Sequence, residues 1–205
     1  MDPEAFAVIA LVCSVGGMAA LRDVLGELPA DLPAAVVVVQ HLSPERESML
    51  AELLAPHSRM ELATGTDGAA LAPGLVQIAP SGFHCLVTPD LRLSLVGSGP
   101  FPPYRPSADL LLTTLALAAG PRVIAVVMTG AGHDGATGTT VVHQHGGVVV
   151  ATDEATSTDF AMPAAAIARE NVDRVVALKD LAATLVELTG SVSSRDRGGR
   201  RRRRT

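Results

Sequence analysis

The sequence predicts a doubly wound α/β domain, with a mostly parallel sheet and an appended antiparallel hairpin. Its apolar runs rich in Val and Ile are continuous rather than alternating, which is typical of strands that are covered on both faces. Segments of helical period separate these runs, and a chain that alternates strands with helices builds a parallel sheet. The predicted strands are Phe6 to Val12, Ala35 to Val39, Val123 to Met128, Val148 to Ala151 and Arg174 to Leu178.

The predicted helices fill the segments between these strands. Each has apolar residues at the spacing of one helical face. Their composition, rich in Ala and Leu and with 2% aromatic residues in the chain as a whole, suits helices that pack closely on a sheet. The predicted helices are Met18 to Leu28, Glu47 to Leu54, Asp109 to Ala119, Ala136 to His145, Pro163 to Glu170 and Asp180 to Leu188.

The middle of the chain predicts the antiparallel hairpin. Short strand-like runs alternate there with the turn-forming segments Pro80-Ser81-Gly82 and Pro89-Asp90. The stretch Gly97 to Pro106 is dense in Gly and Pro, which predicts a surface loop. The strand-like runs are Leu75 to Ala79, Cys85 to Thr88 and Leu91 to Val96.

Charge divides the chain into two parts. Residues 195–205 hold seven Arg and one Asp and so contribute +6 to a net charge of −5, which leaves −11 on the rest. We expect residues 1–188 to form one domain, and residues 189–205 to be a disordered Ser-, Gly- and Arg-rich tail. An acidic body argues against a surface for duplex nucleic acid, whereas the tail could contact an anionic surface.

Two features predict a cytoplasmic protein. The start, Met1-Asp2-Pro3-Glu4, is acidic where a secretory signal would be basic, and the apolar run after it is too short to cross a membrane. Cys13 and Cys85 are the two cysteines of the chain, too few for a disulfide framework.

Candidate catalytic residues follow three of the predicted strands. Ser14 comes after the first strand, His41 after the second and Asp134 soon after the strand that ends at Met128. In an open parallel sheet these positions lie at one edge, where catalytic groups gather. An imidazole can take the proton of a Ser hydroxyl, and a carboxylate can orient that imidazole, so the three residues could form a nucleophilic triad.

Glycines accompany these residues. Gly16 and Gly17 would permit a tight turn from strand to helix, and further glycines lie on both sides of Ala131. Backbone N–H groups exposed at such turns can form an oxyanion hole.

Each candidate residue also has a simpler interpretation. Ser14 alone could cap a helix, His41 could be a structural histidine, and Asp134 could be a cap or turn residue.

The loop Thr129 to Gly135 could hold a phosphate, but it lacks the Lys of a P-loop. His143 and His145 are two residues apart and would not share a helix face, so we expect neither a metal site nor any cofactor.

Five separated motifs resemble the catalytic domain of the chemotaxis protein-glutamate methylesterase family, over nearly all of Phe6 to Leu188. They occur in the same order as in that family. They are Val12-Cys13-Ser14-Val15-Gly16-Gly17, Gln40-His41, Arg105-Pro106-Ser107-Ala108-Asp109, Thr129 to Gly135, and Met162-Pro163.

The resemblance implies that Ser14 is the nucleophile, His41 the general base and Asp134 the orienting carboxylate. It also implies an oxyanion donor in the backbone N–H of Ala131. The implied reaction is hydrolysis of glutamyl methyl esters in the methylated cytoplasmic region of a receptor or signalling protein, with glutamine deamidation as a second activity. We further expect Val15, Gly16, Arg105 and Thr129 to border the substrate cleft.

The sequence departs from the family pattern in three respects. Val15 replaces a Thr, and Val12-Cys13 replaces Gly-Ala, which makes the turn around Ser14 bulkier. Typical members also begin with a receiver domain, for which there is no room before Phe6, so we expect any phosphorylation control to come from a separate receiver-domain regulator. Two further hypotheses are a non-catalytic signalling scaffold of the same fold and an esterase that acts on a different ester.

Overall fold

A computed structural model of the chain describes residues 6–42, 48–97 and 104–202. These residues form a seven-stranded sheet, in which every pair of neighbouring strands is parallel, and a separate two-stranded antiparallel sheet. The strands are β1 (Ala7–Cys13), β2 (Ala34–Gln40), β3 (Glu61–Thr64), β4 (Leu75–Ile78), β5 (Phe83–Val87), β6 (Leu93–Gly97), β7 (Val123–Val127), β8 (Val148–Thr152) and β9 (Arg174–Val176). The helices are α1 (Gly17–Glu27), α2 (Leu50–Leu54), α3 (Ala108–Ala119), α4 (Ala136–Gln144), α5 (Ala161–Ile167) and α6 (Leu178–Arg202).

The order of the large sheet is β3-β4-β2-β1-β7-β8-β9, with β1 at its centre. The chain first extends the sheet on one side of β1 and then returns to extend it on the other side. A crevice forms at the carboxyl ends of the strands where the winding reverses in this way. Here the winding reverses at β1, so we expect the crevice at the carboxyl ends of the central strands β1, β2 and β7.

Two apolar cores cover the two faces of the sheet, as the prediction of a doubly wound fold requires. Alternate residues of β1 enter different cores: Ile9 and Leu11 pack among residues of α1 and α6, and Val8 and Ala10 among residues of α3. This double coverage explains why β1 reads as a continuous apolar run, since neither of its faces meets water.

The antiparallel hairpin consists of β5 and β6 alone. It packs beside α3, and the N–H of Val87 donates to Thr114 Oγ1 at 3.1 Å. The run Leu75 to Ala79, which we assigned to the hairpin, instead supplies β4, a parallel strand beside β2. Local sequence could not separate these assignments, because pairing partners are set by tertiary packing.

The last helix extends farther than the sequence predicted. We expected the domain to end at residue 188 and a disordered tail to follow, whereas α6 continues to Arg202. Thr189 and Val192 are buried, and Val192 continues the apolar face formed by Leu181, Leu185 and Leu188. The packed face of α6 therefore extends at least to Val192, four residues beyond the predicted boundary. Residues 203–205 lie outside the described part.

Three other predicted segments fall wholly or partly outside the described residues. They are the start of the chain, residues 1–5; the beginning of the helix predicted at Glu47, within residues 43–47; and most of the loop predicted at Gly97 to Pro106, within residues 98–103. In the part of the chain that the structure describes, no helix is both long enough and apolar enough to cross a membrane.

Candidate active site

Ser14 lies in the turn between β1 and α1. Its carbonyl accepts the N–H of Gly17 at 2.9 Å, which closes the turn. Gly16 has a φ of 79°, a left-handed conformation that side chains with a Cβ disfavour. A methyl group at Gly16 would also lie 2.5 Å from Thr158 Cβ. The turn that presents Ser14 therefore requires glycine at position 16.

The loop after β7 supports this turn from the other side. The N–H of Ser14 donates to the carbonyl of Thr129 at 3.0 Å, and the hydroxyl of Thr129 donates to the carbonyl of Val15 at 2.9 Å. A methyl group at Gly130 would lie 2.8 Å from Ser14 Cβ, so the two segments are in close contact. Thr129, which we expected at the substrate cleft, is buried and holds the turn in place.

His41 leaves the sheet beside Ser14. In the parallel register of β1 and β2, Cys13 pairs with Gln40, so the next residues of the two strands are neighbours. The N–H of His41 donates to the carbonyl of Cys13 at 3.1 Å. The side chain of His41 is 12% exposed. The imidazole is thus held at the same sheet edge as the hydroxyl.

The imidazole of His41 is hydrogen-bonded to Asp134, with 2.8 Å between Nε2 and Oδ2. If Nε2 donates its proton to the carboxylate, Nδ1 is the nitrogen left to accept a proton from Ser14. Among the described residues, the Ser14 hydroxyl and the His41 imidazole are not hydrogen-bonded to each other. Contacts between nucleophile and base commonly shorten only when substrate binds.

Asp134 is buried at the N-terminus of α3. Besides His41, its carboxylate accepts the N–H of Ala108 at 2.6 Å, the N–H of Asp109 at 3.0 Å and the hydroxyl of Ser107 at 3.2 Å. Burial alone would raise the pKa of Asp134, but the hydrogen bonds from His41, Asp109 and Ala108 bring it below its usual value. The positive end of the α3 dipole also favours a negative charge there. Asp134 is therefore ionised at neutral pH.

The remaining residues predicted for the site lie near Ser14, His41 and Asp134. Val15 is 50% exposed, and Gly16 and Ala131 are partly exposed. Within the described part of the chain, the N–H groups of Val15 and Ala131 have no hydrogen-bond acceptor, as an oxyanion hole would require. Gly17, by contrast, uses its N–H to close the turn. Arg105 is partly buried, and its carbonyl accepts the N–H of Leu42 at 2.9 Å.

Ser107 and Asp109 belong to one of the five motifs, but their structural roles could not be predicted from the sequence. Ser107 caps α3 by accepting the N–H of Leu110, a role that a Ser before a helix signals. Asp109 accepts the N–H of Gly138 at 2.7 Å and so joins the starts of α3 and α4. Both residues also donate to Asp134, which only the tertiary structure reveals.

His84 and Tyr104 were missed altogether. His84 is buried, and its Nδ1 accepts the N–H of Ser107 at 3.1 Å. The ring of Tyr104 stacks on the ring of His41, with 5.1 Å between centroids and 18° between planes. Neither residue has a local sequence signal, because the contacts come from segments far apart in the chain.

Cys13 is not a competing nucleophile. It is fully buried and faces the core beside α1, on the opposite side of β1 from Val12. Burial raises the pKa of its thiol to about 12, so the reactive thiolate is scarce at neutral pH. This leaves the Ser14 hydroxyl as the candidate nucleophile at this edge of the sheet.

Comparisons with known proteins agree with this geometry. A family model described as CheB methylesterase matches residues 9–185. Among solved structures, the catalytic domain of the CheB methylesterase of Thermotoga maritima superposes with a TM-score of 0.85 at 32% identity, over 89% of this chain and 98% of that one.

The curated relatives are named protein-glutamate methylesterases. The protein-glutamate methylesterase FrzG of Myxococcus xanthus is 36% identical over 185 residues, which are 90% of this chain and 55% of the relative. A protein-glutamate methylesterase/protein-glutamine glutaminase of Moorella thermoacetica is 38% identical, over 88% of this chain and 44% of the relative. The chain spans about half the length of these relatives. By its sequence and its fold, the chain belongs to the CheB methylesterase family.

Proposed function

We propose that this chain is a serine esterase that hydrolyses glutamyl methyl esters in a protein and releases methanol. The observation that carries the proposal is the hydrogen-bonded pair of His41 and Asp134 beside Ser14, in a chain of this family. We assign the roles of nucleophile to Ser14, general base to His41 and orienting carboxylate to Asp134.

The first half of the reaction forms an acyl-enzyme. Ser14 Oγ attacks the ester carbonyl while Nδ1 of His41 takes the hydroxyl proton. The negative oxygen of the tetrahedral intermediate accepts the N–H groups of Ala131 and Val15, which have no other acceptor in the described structure. Methanol then leaves with the proton from the imidazolium, and the glutamyl group remains esterified to Ser14.

The second half regenerates the enzyme. A water molecule gives a proton to His41 and attacks the acyl-enzyme, and Ser14 leaves as the alcohol. The same sequence of steps, starting from a glutamine amide and releasing ammonia, would give a glutaminase activity, which the names of several relatives include.

Asp134 acts on His41 throughout these steps. Its lowered pKa keeps it ionised while the imidazole gains and loses a proton. A buried carboxylate 2.8 Å from Nε2 stabilises the imidazolium and holds the tautomer that leaves Nδ1 free. The backbone N–H groups of Ala108 and Asp109 keep the carboxylate in that position.

The substrate we propose is the methylated cytoplasmic region of a receptor or signalling protein. Val15 and Met18, about half exposed, give the surface beside Ser14 an apolar character that suits a protein segment.

We also propose control by a separate receiver-domain protein and contact of the Arg-rich end with an anionic surface. A cytoplasmic location agrees with the two free, buried thiols, Cys13 and Cys85.

A fluorophosphonate probe separates the esterase from a scaffold of the same fold. A live serine nucleophile forms a covalent adduct, and mass spectrometry of the digested protein should place that adduct on Ser14. An unlabelled protein would support the scaffold. Labelling at Ser14 without methanol release from methylated receptor fragments would instead indicate an esterase for a different ester.

A further inference from the structure

The segment that begins at Tyr104 is attached to the end of β2. The carbonyl of Arg105 accepts the N–H of Leu42, the residue after His41, at 2.9 Å. Three residues beyond Tyr104, Ser107 donates its hydroxyl to Asp134. One short stretch of chain therefore contacts the surroundings of both the proposed base and its carboxylate.

Tyr104 covers one face of the His41 ring. The centroids lie 5.1 Å apart and the planes are 18° from parallel. The hydrogen bond to Asp134 restrains only the Nε2 edge of the imidazole. Rotation of the ring about that hydrogen bond would move Nδ1 away from Ser14, and a flat ring packed on the face opposes this rotation.

Tyr104 is itself held in place by the loop after β7. Its hydroxyl is hydrogen-bonded to His133 Nδ1 at 3.2 Å, and the His133 ring meets it edge-on, 5.3 Å between centroids. A methyl group at Gly132 would lie 2.6 Å from the Tyr104 hydroxyl oxygen, so the Tyr104 ring lies directly against the backbone there. The stacking partner of His41 is therefore fixed from two sides.

We propose that Tyr104 is a positioning residue for the reaction: its ring keeps His41 oriented for proton transfer from Ser14 and stabilises the imidazolium that forms. This rests on the proposed function. Tyr104 stacks on His41, and it acts on the reaction through that ring. The flat ring is the part that acts, because stacking and the attraction of an aromatic face for a cation both depend on it. The hydroxyl serves only to hold the ring.

The test measures how fast a fluorophosphonate labels Ser14 in the full-length chain and in four variants. Tyr104→Phe and Tyr104→His keep a flat ring, whereas Tyr104→Leu and Tyr104→Met replace it by side chains that are not flat. We expect the Leu and Met variants to label roughly tenfold more slowly at saturating probe, and the Phe variant to stay within about threefold of the wild type, with the His variant between them. The probe concentration at half-saturation should change little in any variant.

Two results would overturn the proposal: labelling of the Leu or Met variant at the wild-type rate, or a Phe variant as slow as the Leu variant. The second result would assign the effect to the hydroxyl and His133. Using two non-planar variants guards against misfolding of either, and circular dichroism confirms that each is folded. If the wild type itself were not labelled, the proposed function would fail first, and the role of Tyr104 with it.

Discussion

Oδ2 of Asp134 joins His41 to the first turn of helix α3, because it lies 2.8 Å from His41 Nε2 and also accepts the N–H of Ala108 at 2.6 Å. A single buried carboxylate thus orients the proposed base and caps a helix. Its chemical and structural roles can be separated by experiment.

Replacement of Asp134 by Asn should lower turnover by up to ~10⁴, because a neutral amide cannot stabilise the imidazolium or hold its tautomer. Asp173→Asn is the matched control, since Asp173 also accepts a backbone N–H, that of Val149, but is not bonded to His41. Steady-state ester hydrolysis and thermal unfolding should be measured for both. An Asp134→Asn variant with wild-type turnover would remove this carboxylate from the mechanism.

The lowered pKa of Asp134 also predicts how stability depends on pH. A carboxyl whose pKa is lower in the folded state adds stability that is complete above the pKa of the unfolded chain, near 3.8, and is lost as the pH falls through the folded-state value. The difference in unfolding free energy between the wild type and Asp134→Asn should therefore shrink below about pH 4. Urea unfolding at a series of pH values checks this; a difference that grows in acid would contradict it.

Asp109 should behave in the opposite way. Burial, opposed by a hydrogen bond from the N–H of Gly138 and reinforced by the charge of Asp134, raises its pKa. A raised carboxyl pKa disfavours folding once the group is ionised, so the penalty is absent in acid and present at neutral pH. Asp109→Asn, which can still accept the Gly138 N–H, should thus gain stability relative to the wild type as the pH rises from 3 to 7. A relative loss over that range would contradict the sign.

The turn at Ser14 predicts an unequal cost of alanine at two glycines. Gly68 has a φ of 77° with no heavy atom near its missing Cβ, whereas a methyl at Gly16, φ 79°, meets Thr158. Gly68→Ala should cost about 1 kcal/mol of stability from backbone strain alone. Gly16→Ala should cost more and should also reduce turnover, since Ser14 is two residues away. Equal unfolding free energies for the two variants would show that the Thr158 side chain can move aside without loss of stability, which would contradict this prediction.

Truncation locates the end of the packed body. Removing residues 195–205 should leave turnover and stability unchanged, because Val192 is the last buried residue among the side chains that the structure describes. Removing everything after Leu188 should destabilise the protein, since it deletes the buried Thr189 and Val192. Thermal unfolding of both truncated chains decides whether the packed body ends at residue 188 or extends to Val192. If the longer truncation were harmless, the boundary at 188 would stand.

The sequence predicted the parts of the molecule that local patterns encode. Continuous apolar runs predicted β1, β2 and β7. Ser14, His41 and Asp134 became candidates because they follow these strands, and the carboxyl ends of strands in a parallel sheet share one edge. The structure brings these three residues to that edge, and their catalytic roles stay predictions. Strand β3, Glu61–Thr64, was not predicted, because this short edge strand is half exposed and has no continuous apolar run.

The contacts around the site could not be predicted in the same way. Tyr104 reaches His133 across 29 residues, and Ser107 reaches Asp134 across 27. No residue near Tyr104 in the sequence indicates that its ring covers an imidazole. Such relationships depend on how separate loops pack, which is a property of the whole fold.

Methanol release from methylated receptor fragments tests the central claim most directly. The purified chain should release methanol, and Ser14→Ala, with the same circular dichroism and melting temperature, should be slower by a factor approaching ~10⁶. Release of methanol by Ser14→Ala at the wild-type rate would contradict the assignment of the nucleophile, and no release by the wild type would contradict the proposed activity.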